Sequence, residues 1–112
     1  MDNTNIPQID VREVYKKIQA KSEDFALLDV RTAHEYQTVG RISGSINLPL
    51  DDLQGKVENI IPDKDTTVYV YCLSGSRSAA GAQILKSLGY KNVYDMISGL
   101  LAWRVYKLPL EK

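Results

Sequence analysis

The sequence predicts an α/β fold with a parallel sheet and helices on both of its faces. Three observations carry this expectation. Strand-like and helix-like segments alternate along the chain. Two of the apolar runs are continuous, as in strands buried on both faces. Gly and Pro residues break the chain at short, regular intervals (Pro7, Gly40, Gly44, Pro49, Gly55, Pro62, Gly75, Gly89, Gly99 and Pro109). Strands joined this way by helices take right-handed crossovers. In such sheets functional groups gather beyond the carboxyl ends of the strands.

The elements follow in order. Asp10-Val11-Arg12-Glu13 reads as a capping box, with Val11, Val14, Tyr15 and Ile18 at helical spacing after it. FALLDV, residues 25–30, reads as a buried strand. Thr32-Ala33-His34-Glu35 is a second capping box, opening a short helix to about Val39. Ile46-Asn47-Leu48 before Pro49 reads as a short strand. Asp51 or Asp52 is expected to cap a weak helix running to about Ile60. TVYVY, residues 67–71, is β-branched and aromatic throughout and is the clearest strand. Residues 78–88 read as a helix with Ala80, Ile84 and Leu88 on one face, stopped by Gly89. Residues 92–96 give the last strand, and residues from Leu100 to about Lys107 the last helix.

Composition bounds what this domain can be. The chain has 112 residues, with 44% hydrophobic and 25% charged, which is ordinary for a folded domain. One domain over residues 1–112, with its core at about 7–110, is expected from that length. Fourteen basic residues balance fourteen acidic ones, and the isoelectric point is near 6.6. That balance gives no electrostatic reason for binding nucleic acid or an anionic membrane. The polar N-terminus lacks the basic start and apolar core of a signal peptide. No apolar stretch approaches the length of a membrane span. A cytoplasmic location is therefore expected. A single cysteine excludes an intramolecular disulfide, a Cys-rich zinc site and an iron–sulfur cluster within one chain.

That cysteine has an informative setting. Cys72 ends the TVYVY strand and is followed by Leu73, Ser74, Gly75, Ser76, Arg77 and Ser78 before a helix. The small residues let backbone N–H groups curl inward into an anion-binding nest. The helix start adds partial positive charge and Arg77 a full one. All three favour thiolate over thiol, as expected of a nucleophile.

The segment from Cys72 to Ser78 resembles the active-site loop of the rhodanese family of sulfurtransferases. Further segments resemble the family in order: Leu28-Asp29-Val30-Arg31 with Glu35-Tyr36, Gly40 to Pro49, Leu88 to Tyr94, and Gly99-Leu100-Leu101-Ala102-Trp103. The resemblance implies a five-stranded, mainly parallel rhodanese sheet wrapped by helices. It implies that Cys72 takes sulfur from thiosulfate or a persulfide donor, carries it as a persulfide and passes it to a thiophilic acceptor. That acceptor is cyanide in an assay, or a thiol or partner protein in the cell. No metal and no organic cofactor is implied.

The alternatives are a sulfur-carrying or interaction module without turnover, and a cysteine-dependent phosphatase or arsenate reductase. Phosphatases of that kind have five residues between Cys and Arg, where this chain has four. Leu73 and Arg41 depart from the family, which often has a polar residue and a histidine there. Losing charge at position 73 is expected to weaken attraction for dianionic thiosulfate. Asp29 and Arg31 are expected to form an ion pair bracing the active face, and Arg41 to sit on its rim. The sole histidine, His34, is expected on a solvated helix surface.

Overall fold

The computed structural model describes residues 5–21 and 24–112. Five strands form the sheet: β1 (Gln8–Ile9), β2 (Phe25–Asp29), β3 (Ile46–Asn47), β4 (Thr67–Tyr71) and β5 (Asn92–Met96). All neighbours are parallel, in the order β1-β5-β4-β2-β3. The sheet and its crossovers match the expected α/β class. β4, whose residues have the highest strand propensity, lies at the centre. β1 has no counterpart among the segments legible as strands. Two residues after a proline are too few to show a period, and they gain their pairing only from β5.

Four helices connect the strands, α1 (Val11–Ala20), α2 (Ala33–Thr38), α3 (Leu50–Ile60) and α4 (Ser76–Ser87), and α5 (Gly99–Val105) follows the last strand. Alternation along the strands divides the core in two. On one face Leu28, Val68, Val70 and Val93 meet Leu53 and Val57 of α3 and Ala82 and Leu85 of α4. On the other, Leu27, Tyr69 and Met96 meet Val11 and Val14 of α1 and Leu100 and Trp103 of α5. Helices therefore cover both faces. No helix among the described residues is long and apolar enough to cross a membrane.

Several helix ends differ from expectation. The box of α2 forms as expected, with Thr32 and Glu35 each accepting from the other's backbone N–H. That of α1 forms by half. Asp10 accepts from the Arg12 N–H at 2.8 Å, and the Arg12 guanidinium folds back onto the same carboxylate. This holds Asp10 down at a pKa of about 2, while Glu13 turns to Lys16. α3 begins after Pro49, so Asp51 and Asp52 sit in its first turn and complement the helix dipole instead of capping it. α4 starts two residues early. It buries Ser78, Gly81, Ala82 and Leu85, while Ala80 is exposed and Ile84 and Leu88 are only partly buried. The small residues face inward because they let the helix approach the sheet: a Cβ on Gly81 would lie 3.4 Å from Val30 Cγ1.

Candidate active site

The carboxyl end of β4 passes directly into the segment from Cys72 to Ser78. Gly75 takes a φ of +121°, a conformation open mainly to glycine. The turn brings two backbone donors onto one atom. The Gly75 N–H lies 3.1 Å, and the Ser78 N–H 3.3 Å, from Cys72 Sγ. Cys72 itself is buried. Its sulfur thus faces the positive end of α4, as the sequence leads one to expect.

The far side of the loop is fixed by α5. Leu100 N–H donates to the Cys72 carbonyl and Leu101 N–H to that of Leu73, both at 3.0 Å. Gly99 permits this approach. A Cβ there would lie 2.2 Å from the Cys72 carbonyl oxygen.

Among the loop serines only Ser78 touches the sulfur, with Oγ 3.6 Å from Sγ. Ser74 and Ser76 are exposed. Ser78 Oγ also lies 2.6 Å from Asp95 Oδ1, on the neighbouring strand β5. Asp95 is buried, and burial pushes its carboxyl above the usual range. Leu73 is partly buried and packs with the α1/α5 cluster.

Arg77 has a partner not foreseen from the sequence. Its guanidinium makes two hydrogen bonds to Glu35, at 2.7 and 3.0 Å. The pair holds Glu35 at a pKa of about 2 and pushes Arg77 up. Glu35 thereby serves both the α2 capping box and the start of α4. The charge of Arg77 is matched in the resting chain, which leaves the two backbone N–H groups as the donors on sulfur.

Asp29 and Arg31 form the expected ion pair, 2.8 Å apart and fully buried. Arg31 also donates to the Gly40 carbonyl. The pair therefore braces the segment around Gly40 and has no surface to offer a substrate. Arg41 is partly buried, donating to the Tyr36 carbonyl and facing Glu111 at 3.5 Å. His34 is exposed. Among the described residues no group of three His, Cys, Asp or Glu side chains is placed to hold a metal.

Glu35, Asp95 and Gly99 are the site neighbours that sequence reasoning missed. Asp95 carried one visible signal, a carboxylate between Tyr94 and Met96 near the carboxyl end of a strand.

A parallel sheet of this order, with a cysteine cradled at the end of its central strand, defines a rhodanese-type domain. The chain belongs to the rhodanese-like domain family, whose model matches residues 10–105. It is 31% identical over 105 residues to a sulfurtransferase of Allochromatium vinosum, covering 94% of each chain. It is 34% identical over 99 residues to the adenylyltransferase and sulfurtransferase uba4 of Ogataea parapolymorpha, covering 88% of this chain but only 25% of that longer protein. The crystal structure of a thiosulfate sulfurtransferase from Pseudomonas aeruginosa superposes with a TM-score of 0.85 at 32% identity. That match covers 95% of this chain and 20% of the other.

Proposed function

We propose that this chain is a sulfurtransferase that carries sulfane sulfur as a persulfide on Cys72. The observation that supports it is the pair of N–H groups on Cys72 Sγ. Such donors stabilise a thiolate before transfer and the charged sulfur after it. The names of the A. vinosum and P. aeruginosa relatives point the same way.

The thiolate attacks the outer sulfur of thiosulfate. A bond forms between the two sulfurs, the bond to the sulfonate sulfur breaks, and sulfite leaves with its electron pair. A thiophilic acceptor then takes the outer sulfur and returns the thiolate. Cyanide as acceptor gives thiocyanate. Protons and electrons balance without any further reactant. A covalent intermediate between two half-reactions gives ping-pong kinetics. Leu73 offers no charge next to the cysteine, so an organic persulfide serves as donor at least as well as dianionic thiosulfate.

Thiocyanate formation at varied donor and cyanide concentration tests this reading. Parallel reciprocal plots are expected, with turnover from both thiosulfate and an organic persulfide and none in Cys72→Ser. Hydrolysis of an aryl phosphate without thiocyanate formation would replace it with the phosphatase reading. Sulfur loading without turnover would leave a carrier module.

A further inference from the structure

Two acceptors compete for the one proton of the Ser78 hydroxyl, Asp95 Oδ1 at 2.6 Å and the Gly75 carbonyl at 3.1 Å, while the Cys72 thiol, with Sγ at 3.6 Å, donates to the hydroxyl oxygen. A hydroxyl donates once and accepts through two lone pairs. A carboxylate at the shortest distance takes that proton when ionised.

The surroundings of Asp95 make its charge state sensitive to this small network. It is 5% exposed. Gln8 faces it from β1, its register partner in the sheet. Ser78 faces it from α4, with the Cys72 sulfur beyond. Gln8 and Ser78 are neutral. The nearest cation in the chain from Ser78, Arg77, is turned to Glu35. No cation pairs with Asp95 among the described residues, and burial favours its neutral acid.

Resting on the reading of Cys72 as the sulfur carrier, we propose that Asp95 is a positioning residue that sets the protonation of Cys72 through the Ser78 hydroxyl. Thiol and carboxyl act as one unit that shares a proton.

Two arrangements follow. With Asp95 ionised, Ser78 donates to the carboxylate and turns a lone pair to sulfur, where the thiol donates into it. With Asp95 protonated, its O–H donates to Ser78 Oγ, and the Ser78 proton turns to sulfur and supports the thiolate. Passage from one to the other breaks the S–H bond and forms an O–H bond at Ser78. The former Ser78 proton moves to Asp95 Oδ1, and the electron pair stays on sulfur. The trio keeps one negative charge throughout. The thiolate therefore forms without placing a second charge in a buried site, and the same orientation suits a persulfide.

The test is the pH dependence of Cys72 alkylation by iodoacetamide, read by intact mass. The chain has one cysteine, so the signal has one origin. In Asp95→Asn the amide can donate to Ser78 but cannot take a proton. Its alkylation profile is expected to be a single one-proton step. Its midpoint should lie at least about one pH unit below the upper limb of the wild-type profile. Linkage requires the reverse effect of equal size. The Asp95 carboxyl carbon, followed by NMR, is expected to titrate in Cys72→Ser as a single step that lies below the upper limb of its wild-type titration by that amount.

A wild-type alkylation profile in folded Asp95→Asn overturns the proposal, as does an Asp95 titration indifferent to Cys72. If Asp95→Asn fails to fold, the carboxyl titration decides alone. A merely structural Asp95 would change stability and leave both profiles in place. Neither readout involves sulfur transfer, so failure here leaves the sulfurtransferase reading standing. A chain that loads no sulfur could still show the coupling.

Discussion

Gly99 shows how a single residue can hold a reactive loop in shape. The 2.2 Å left for a Cβ excludes other residues, and its φ of +45° disfavours them. Gly99→Ala must push the start of α5 away from the Cys72 and Leu73 carbonyls, leaving both without their donors. A loss of about 3 kcal/mol in urea unfolding is expected, together with a loss of sulfur transfer. An unchanged unfolding midpoint would mean that the loop does not depend on this contact. The sequence makes Cys72 and its loop legible because their chemistry is local: a strand end, small residues and a helix start lie within seven positions. Gly99 and Glu35 are legible as parts of motifs but not as neighbours of that loop. Their contacts join residues far apart in the chain.

At the scale of elements, α4 departs most from its sequence pattern. Helical spacing suggests Ala80, Ile84 and Leu88 as the inner face, because they are the apolar residues in register. The sheet instead receives Ser78, Gly81, Ala82 and Leu85. Two forces outweigh the apolar count. Ser78 must reach Cys72 and Asp95, and a narrow face allows close helix–sheet packing. Gly81 probes the second of these. A methyl there meets Val30, Leu53 and Leu50 at 3.4 to 3.6 Å, which is ordinary contact. Gly81→Ala is therefore expected to raise stability by about 0.5–1 kcal/mol through helix propensity. Gly81→Leu has no room and is expected to lower it by about 1–3 kcal/mol. Thermal unfolding of the two variants compares them, and equal midpoints would contradict the packing described.

For the whole molecule, the order β1-β5-β4-β2-β3 puts the cysteine at the centre and brings α2 and α4 together at the carboxyl edge. The Glu35–Arg77 pair is the bond between them. Glu35 falls from 4.5 to about 2 on folding. A lowered carboxyl stabilises the fold above its unfolded value and loses that contribution as pH falls from 4.5 towards 2. Glu35→Gln keeps an acceptor for the Thr32 cap but removes the charge. It is expected to cost about 1 kcal/mol at neutral pH, with the difference closing by about pH 2. Urea unfolding across that range checks the sign, and a constant difference would show that the pair does not titrate with folding. The α/β class and four of the five strands were legible at this scale. The fifth, β1, exists only through its partner.

Sulfur transfer by this chain requires sulfur to reside on Cys72. Purified protein incubated with thiosulfate or a glutathione persulfide, freed of donor and weighed intact, tests this most directly. A gain of one sulfur atom is expected, located at Cys72, removed by cyanide and absent in Cys72→Ser. An unchanged mass with every donor, or a gain that persists in Cys72→Ser, would contradict it.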